Sequence, residues 1–359
     1  MTQTTTAIRM DVFSRPRLGF LGVGWIGRSR LEAIQQHGRG DIAAIMDVDR
    51  AAAEKAAKNF SGTAVCETFQ EMLDIGIDGV VIATPSALHF EHAVRALEHG
   101  LAVYCQKPLG TTASETRSII DSAILADRLI GIDLSYRHLN GMREIRRRVG
   151  NGDIGRIFAV DLVFHNAYGP DKPWYYDPVA AGGGCVMDLG VHLIDLLLWV
   201  LDFPAPVSAS GRMFSNGDAM DRPGVRVEDY AAARLDLENG VTATLACSWN
   251  LPAGCDAVIR IAFFGSEGGL CLSNINGSFF DFETKLFRKT TQEVIAADSK
   301  DTWWGRSAVD WVNRLSRSRR YDPEAAGIIP VAFALESIYA SAYKRPHSGR
   351  TRKSGVLDQ

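Results

Sequence analysis

The sequence of 359 residues has six cysteines, but no C-x-x-C pair and no cysteine–histidine spacing suited to zinc. No metal site is expected, and thiols set inside apolar runs behave as small hydrophobes. No run approaches about 18 apolar residues, so no membrane span is expected. The opening stretch, MTQTTTAIRMDVFSRPR, lacks the apolar core of a signal peptide. Together these absences predict a reducing cytoplasm. The net charge is only −3, so no strong field invites nucleic acid or a membrane surface. Repeats and low-complexity tracts are missing, apart from one alanine-rich helix. What remains is an ordinary globular composition over a length that suits two domains.

The order of elements is more informative. Strand Leu18–Leu21 runs into glycines and a helical pattern that closes at Gly38. DIAAIMD is a strand ending in Asp47, followed by the alanine-rich helix. GVVIA, then Thr84-Pro85, then a helix to Gly100 makes a third unit, and LAVYC with QKPLG and a helix makes a fourth. RLIGIDLSY reads as one more strand. Strands alternating with helices predict parallel strands joined by right-handed crossovers, a doubly wound α/β domain. After Gly155 the rhythm becomes strand after strand with short turns such as Glu238-Asn239-Gly240. Two helices interrupt it, Asp188–Asp202 and Pro330–Arg345, the second with proline in its first turn. The division expected is a lead over 1–16, a nucleotide-binding domain over 17–137, an α+β domain on a large, mostly antiparallel sheet over 138–345, and a tail over 346–359. The last helix is expected to pack back on the first domain.

Gly22, Gly24 and Gly27 form G-x-G-x-x-G directly between a strand and a helix. The first permits a tight turn, the second lets backbone approach a pyrophosphate, and the third lets helix and strand pack closely. The helix N-terminus then offers free N–H groups to the phosphates, with Trp25 and Ile26 in the same turn. Asp47 ends the second strand 20 residues after Gly27 and suits a ribose 2′-hydroxyl, which favours NAD; Arg50 nearby keeps NADP open. Thr84 and Pro85 close the third unit's strand at the carboxyl edge, where ligands cross. His89 either lines the cofactor or caps its helix.

These motifs, with Lys107-Pro108, Tyr136-Arg137 and GGGCVMDLGVHLID (Gly182 to Asp195), make the chain resemble the Gfo/Idh/MocA oxidoreductases from about Arg17 to Tyr343. The resemblance implies a Rossmann domain with a C-terminal α+β domain, NAD(H) or NADP(H), a sugar or polyol substrate, and pairing of open sheets into homodimers or homotetramers. It places the family's active lysine on Lys107, and its acid and histidine on Asp188 and His192. The family's usual E-K-P is here Gln106-Lys107-Pro108, and its W-R is here Trp174-Tyr175.

The chemistry read from the residues agrees. Asp188 and His192 are four apart, with Asp195 three further on, so one helix face can carry them. A histidine accepts a hydroxyl proton near neutral pH, and a carboxylate can orient it. An ammonium at Lys107 can stabilise an alkoxide. Pro108 can follow a cis bond. Gln106 keeps a hydrogen-bonding role beside the cofactor without a charge. Arg137, Asn166, Tyr168, Trp174 and Tyr175 are candidates to line a sugar face, and Trp303, Trp304 and Trp311 to cover the cleft or meet another subunit. Two rival functions stand beside a dehydrogenase: glycoside cleavage through transient oxidation, and NAD(P) sensing without catalysis.

Overall fold

Each expected strand–turn–helix unit forms in the computed structural model, which describes residues 15–343. Strands β1 (Arg17–Leu21), β2 (Asp41–Met46), β3 (Ala64–Val65), β4 (Gly79–Ile82), β5 (Ala102–Cys105) and β6 (Ile130–Ile132) form a parallel sheet in the order β3-β2-β1-β4-β5-β6. The helices between them are α1 (Trp25–His37), α2 (Arg50–Ala57), α3 (Phe69–Asp74), α4 (His89–Glu98) and α5 (Ala113–Ala126). Asp49, Thr68 and Thr112 cap α2, α3 and α5 by accepting from first-turn amides. β4 and β5 are buried at every residue, as parallel strands covered on both faces must be. β3 and α3 have too little period to be read from sequence, and β6 stops at Ile132, because residues 135–138 turn into a short 3₁₀ helix.

Helix α6 (Asn140–Gly150) leads into the second sheet: β7 (Ile157–Asn166), β8 (Pro206–Ser215), β9 (Asp218–Ala219), β10 (Tyr230–Leu237), β11 (Thr242–Ser248), β12 (Ala257–Gly265), β13 (Gly269–Asn274), β14 (Phe282–Arg288) and β15 (Thr291–Asp298). Their order is β15-β14-β13-β12-β7-β11-β10-β8-β9. Neighbours are antiparallel except β7 and β11, whose parallel pairing sets their carboxyl ends side by side. The expected Asn239-Gly240 hairpin joins β10 to β11, with Gly240 at φ 82°.

Short α7 (Pro178–Ala181) precedes a π-helical turn at Val186–Gly190, which continues as α8 (Val191–Val200), buried along almost its whole length. After α9 (Lys300–Trp303), helix α10 (Arg306–Leu315) crosses back to the first sheet. Trp311 is therefore core: it lies on β4 and β6 where Gly79 and Gly131 leave room for its ring, and a Cβ at either position would meet it within 3 Å. The final helix, α11 (Ile328–Tyr343), packs on β8, α8 and α5. It does reach the first domain, but α10 is the element that completes that domain's core. Pro330 sits in its first turn; the expected end at Arg345, the lead over 1–14 and the tail over 346–359 lie outside the described residues. Two stretches, Pro178–Val200 and Pro323–Tyr343, are apolar and long enough to cross a membrane, which was not expected. Here they run through short helices, turns and packed helices of this fold.

Candidate active site

The glycine turn divides its work by position. Gly22 has φ 92°, and a Cβ there would lie 2.5 Å from the carbonyl oxygen of Ala83. A Cβ on Gly27 would overlap the carbonyl oxygen of Gly22. Gly24 differs: a Cβ would meet nothing within 4 Å, so this backbone faces open space above the start of α1. That is the surface a pyrophosphate needs. Trp25 and Ile26 begin the helix, Trp25 largely exposed and tilted against Trp304 at 5.5 Å. Asp47 holds the rim, its Oδ2 accepting from Val23 N at 2.7 Å and its Oδ1 from Asp49 N at 2.9 Å. Arg50 is committed to Glu54 and Glu67. The residues present therefore fit a dinucleotide whose ribose bears free hydroxyls.

At the next two strand ends, Thr84-Pro85 and Gln106-Lys107-Pro108 meet. His89 is buried, with Nδ1 2.7 Å from Pro108 O and Nε2 2.8 Å from Thr84 O, and burial lowers its pKa. Its ring bridges the two turns, the nitrogen that carries the proton donating to one of the two carbonyls. The Lys107–Pro108 bond is cis.

Lys107 reaches into the second domain. Its Nζ donates to Asp188 Oδ1 at 2.6 Å and to the Asp188 carbonyl at 2.8 Å. Two of three ammonium protons are thus used. Trp249 Nε1 donates to the other carboxylate oxygen at 3.1 Å. No hydrogen bond joins Asp188 to His192 among the described residues; Asp188 is engaged instead by Lys107 and Trp249. The π turn between them holds more residues per turn than an α-helix, so four residues of spacing no longer stack the two side chains on one face. His192 lies edge-on to Tyr136 at 4.9 Å, and its ring nitrogens have no partner among the described residues. Burial, then the Lys107 charge, push its pKa well below that of a free histidine. Burial and then Asp188 raise the phenols of Tyr136 and Tyr175 above their usual value.

The triple glycine exists for closeness. A Cβ on Gly184 would overlap the Glu228 carbonyl, while Gly184 N and Val186 N both donate to Glu228 Oε1 at 3.0 Å and Tyr339 OH donates to the same oxygen at 2.7 Å. This clamp fixes the turn that carries Asp188. A cavity of about 400 Å³ opens behind it, between Leu109, Thr111, Gly182, Glu228, Leu335 and Tyr339, but Lys107, Asp188 and His192 do not line it.

Other expected residues separate. Arg137 is held by Asp195, with bonds of 2.9 and 2.5 Å, and lies over Trp199 and Phe203, so neither Arg137 nor Asp195 joins the Lys107 group. Asn166 accepts from Tyr168 N at 2.7 Å, and Tyr168 donates to Asp256 at the surface, so this pair closes its own loop. Trp174 stacks on Tyr175 at 3.8 Å, and Tyr175 meets Trp249 edge-on at 6.3 Å, which brings this pair toward Asp188. Trp303 is buried against Tyr136, and Trp304 lies on Arg30 and Trp25, so neither is a free cover. Trp249 was missed because it follows β11, 61 residues from Asp188, with nothing local to mark it.

Gln106 does not face Lys107's charge. It is buried, and its amide donates to Asp133 Oδ2 at 2.5 Å. Asp133 also pairs with buried Arg30, whose Nε is 2.6 Å away, and accepts from Ser135. Burial would raise the Asp133 carboxyl, but the Arg30 charge and the bonds from Arg30, Ser135 and Gln106 outweigh it and hold it at about 2.

Residues 17–133 match the family described as "Oxidoreductase family, NAD-binding Rossmann fold", and residues 142–271 match "GFO/IDH/MocA C-terminal domain". D-glucoside 3-dehydrogenase of Escherichia coli (strain K12) is 26% identical, covering 71% of this chain and 76% of its own. 1,5-anhydro-D-fructose reductase of Ensifer adhaerens is 31% identical, covering 72% and 76%. Among solved structures, levoglucosan dehydrogenase in complex with NADH and levoglucosan matches with a TM-score of 0.77 at 19% identity, covering 92% of this chain and 97% of that one.

Proposed function

The chain belongs to the Gfo/Idh/MocA oxidoreductase family, and from that premise we propose that it transfers a hydride between NAD and the carbinol carbon of a sugar, inositol or related polyol. The observation that carries this reading is the grouping of Lys107, Asp188 and a His192 without a hydrogen-bond partner among the described residues, two strands along the sheet from the glycine turn. Bound there, NAD supplies the hydride acceptor or, reduced, the donor. His192, kept neutral by burial and by Lys107, is free to take the hydroxyl proton. Lys107 has one N–H left for the substrate oxygen, where it stabilises alkoxide character. Asp188 anchors Lys107, and Trp249 anchors Asp188. Tyr175 with Trp174 offers an aromatic wall of the kind that suits a sugar ring.

Absorbance at 340 nm with NAD and a panel of glucosides, free sugars, inositols and sugar acids tests the proposal. NADH formation on at least one class is expected. Silence across the panel, in both directions, would overturn it; sugar release from a glycoside without net NADH would put transient oxidation in its place. Asp47 and the engagement of Arg50 by two glutamates support NAD over NADP.

We also propose a homo-oligomer formed through the second sheet. Helices cover one of its faces; the other shows small residues such as Ala232 and Ala246 among the Arg260–Asp161 and Arg234–Asp236 pairs. A monomer by light scattering at micromolar concentration would refute this. Six free cysteines, five of them buried, support a cytoplasmic location, which cell fractionation tests.

A further inference from the structure

Gln106 and Asp133 share one hydrogen bond, and its chemistry is one-sided. Asp133, held ionised, can only accept. Gln106 must therefore turn its NH₂ inward to Asp133, as the 2.5 Å contact shows, and its carbonyl oxygen away. That oxygen has no partner among the described residues. It stands at the end of β5, beside the β4 turn, with Gln106 N bonded to Ile82 O at 2.9 Å. This is the carboxyl edge that a dinucleotide crosses. Behind it, Arg30 binds Asp133 and Ser135 from α1, the helix that opens on the phosphate turn, and lies under the Trp304 ring at 4.4 Å.

We infer that Asp133 is a positioning residue for the reaction: it fixes Gln106 with its carbonyl toward the hydroxyl or amide donors of the nicotinamide half of the cofactor, and it carries, one residue layer behind, the negative charge that a glutamate at 106 would carry at the front. This rests on the dehydrogenase reading above. Acid and amide are then interchangeable as a pair but not singly. Gln106→Glu sets a second carboxylate against Asp133, and one of the two must hold a proton. Asp133→Asn leaves buried Arg30 without its anion and lets the Gln106 amide turn over. The double exchange, Gln106→Glu with Asp133→Asn, restores one acid, one amide and one counter-charge across the same contact.

The experiment is NADH binding by fluorescence titration, with thermal midpoints and, once a substrate is known, kcat and KM. Each single variant is expected to weaken NADH about 10-fold or more, and the double variant to return within about 3-fold of the parent. Substrate KM should move less than kcat and NADH affinity. Single variants that bind NADH like the parent would overturn the inference, as would a double variant no better than the worse single one. If Asp133→Asn does not fold, Gln106→Glu and the double variant still decide. Failure of the parent to bind NADH at all would instead refute the dehydrogenase reading.

Discussion

Replacing Gly24 and Gly27 with alanine, one at a time, separates ligand space from packing space within a single turn. Gly24 has φ −60° and ψ −169°, extended backbone that any residue adopts, and its new methyl would meet nothing within 4 Å. The folded protein should not suffer; reduced freedom in the unfolded chain adds up to about 0.4–1 kcal/mol of stability. At roughly 2–4 °C per kcal/mol for a domain of this class, the midpoint stays put or rises by a few degrees. The methyl, however, stands where a phosphate oxygen must approach the first amides of α1. A loss of at least about 1.4 kcal/mol, a 10-fold rise in the NADH dissociation constant, is expected. In Gly27→Ala the methyl overlaps the Gly22 carbonyl, a backbone atom that cannot rotate aside. Overpacking of this kind costs about 1–3 kcal/mol, so the midpoint should fall by several degrees. Thermal unfolding and fluorescence titration of both variants decide the matter. A Gly24→Ala protein that binds NADH within 2-fold of the parent, or that loses as much stability as Gly27→Ala, would refute the reasoning.

Other consequences are equally open to measurement. His192→Ala should lower kcat by on the order of 10²-fold or more while NADH still binds; near-normal turnover would remove His192 from the proton path. Because burial and Lys107 depress the His192 pKa, the acid limb of kcat/KM should lie below the ordinary histidine value of about 6.5. Trp249→Phe deletes one charge-assisted bond to Asp188, worth about 1.5–3 kcal/mol, so a roughly 10- to 100-fold fall in kcat/KM is expected with little change in fold by circular dichroism. Asp133 has a folded pKa of about 2, below the free value of about 3.9, so its stabilisation is complete above about pH 4 and is lost as pH falls through about 2. It amounts to about 2–3 kcal/mol, and the parent's midpoint should drop more steeply between pH 4 and 2 than that of Asp133→Asn. Asp47→Ser should narrow the NAD:NADP ratio of dissociation constants; an unchanged ratio would leave Asp47 no part in the choice.

The first domain was legible because its signals are local. A glycine turn between strand and helix, an acid at a strand end and repeated apolar runs each occupy a few consecutive residues. Lys107, Asp188 and His192 were also named from sequence, but their connections were not. Asp188 binds Lys107 and Trp249, from segments 81 and 61 residues away, and the π turn that aims it leaves no periodic trace. Gln106 looked like a residue beside a lysine, yet its partner is Asp133, delivered by the neighbouring strand. Arg137 looked like a pocket cation because nothing nearby announces Asp195, 58 residues on, as its anion. Long-range pairing of charges is set by strand order and helix rotation, which short spacings do not encode.

Helix α10 bears on how the protein is made. Trp311, Val312 and Leu315 belong to the apolar cluster that includes Leu18, Phe20 and Tyr104, yet they follow Ile132 by more than 170 positions. A nascent chain leaves the ribosome at about 5–20 residues per second, so the first sheet waits roughly 10–35 s for its last layer. During that interval Gly79 and Gly131 line an unfilled trough on the sheet. The nucleotide-binding half is thus sealed only when the second half has been synthesised, and the two must mature together.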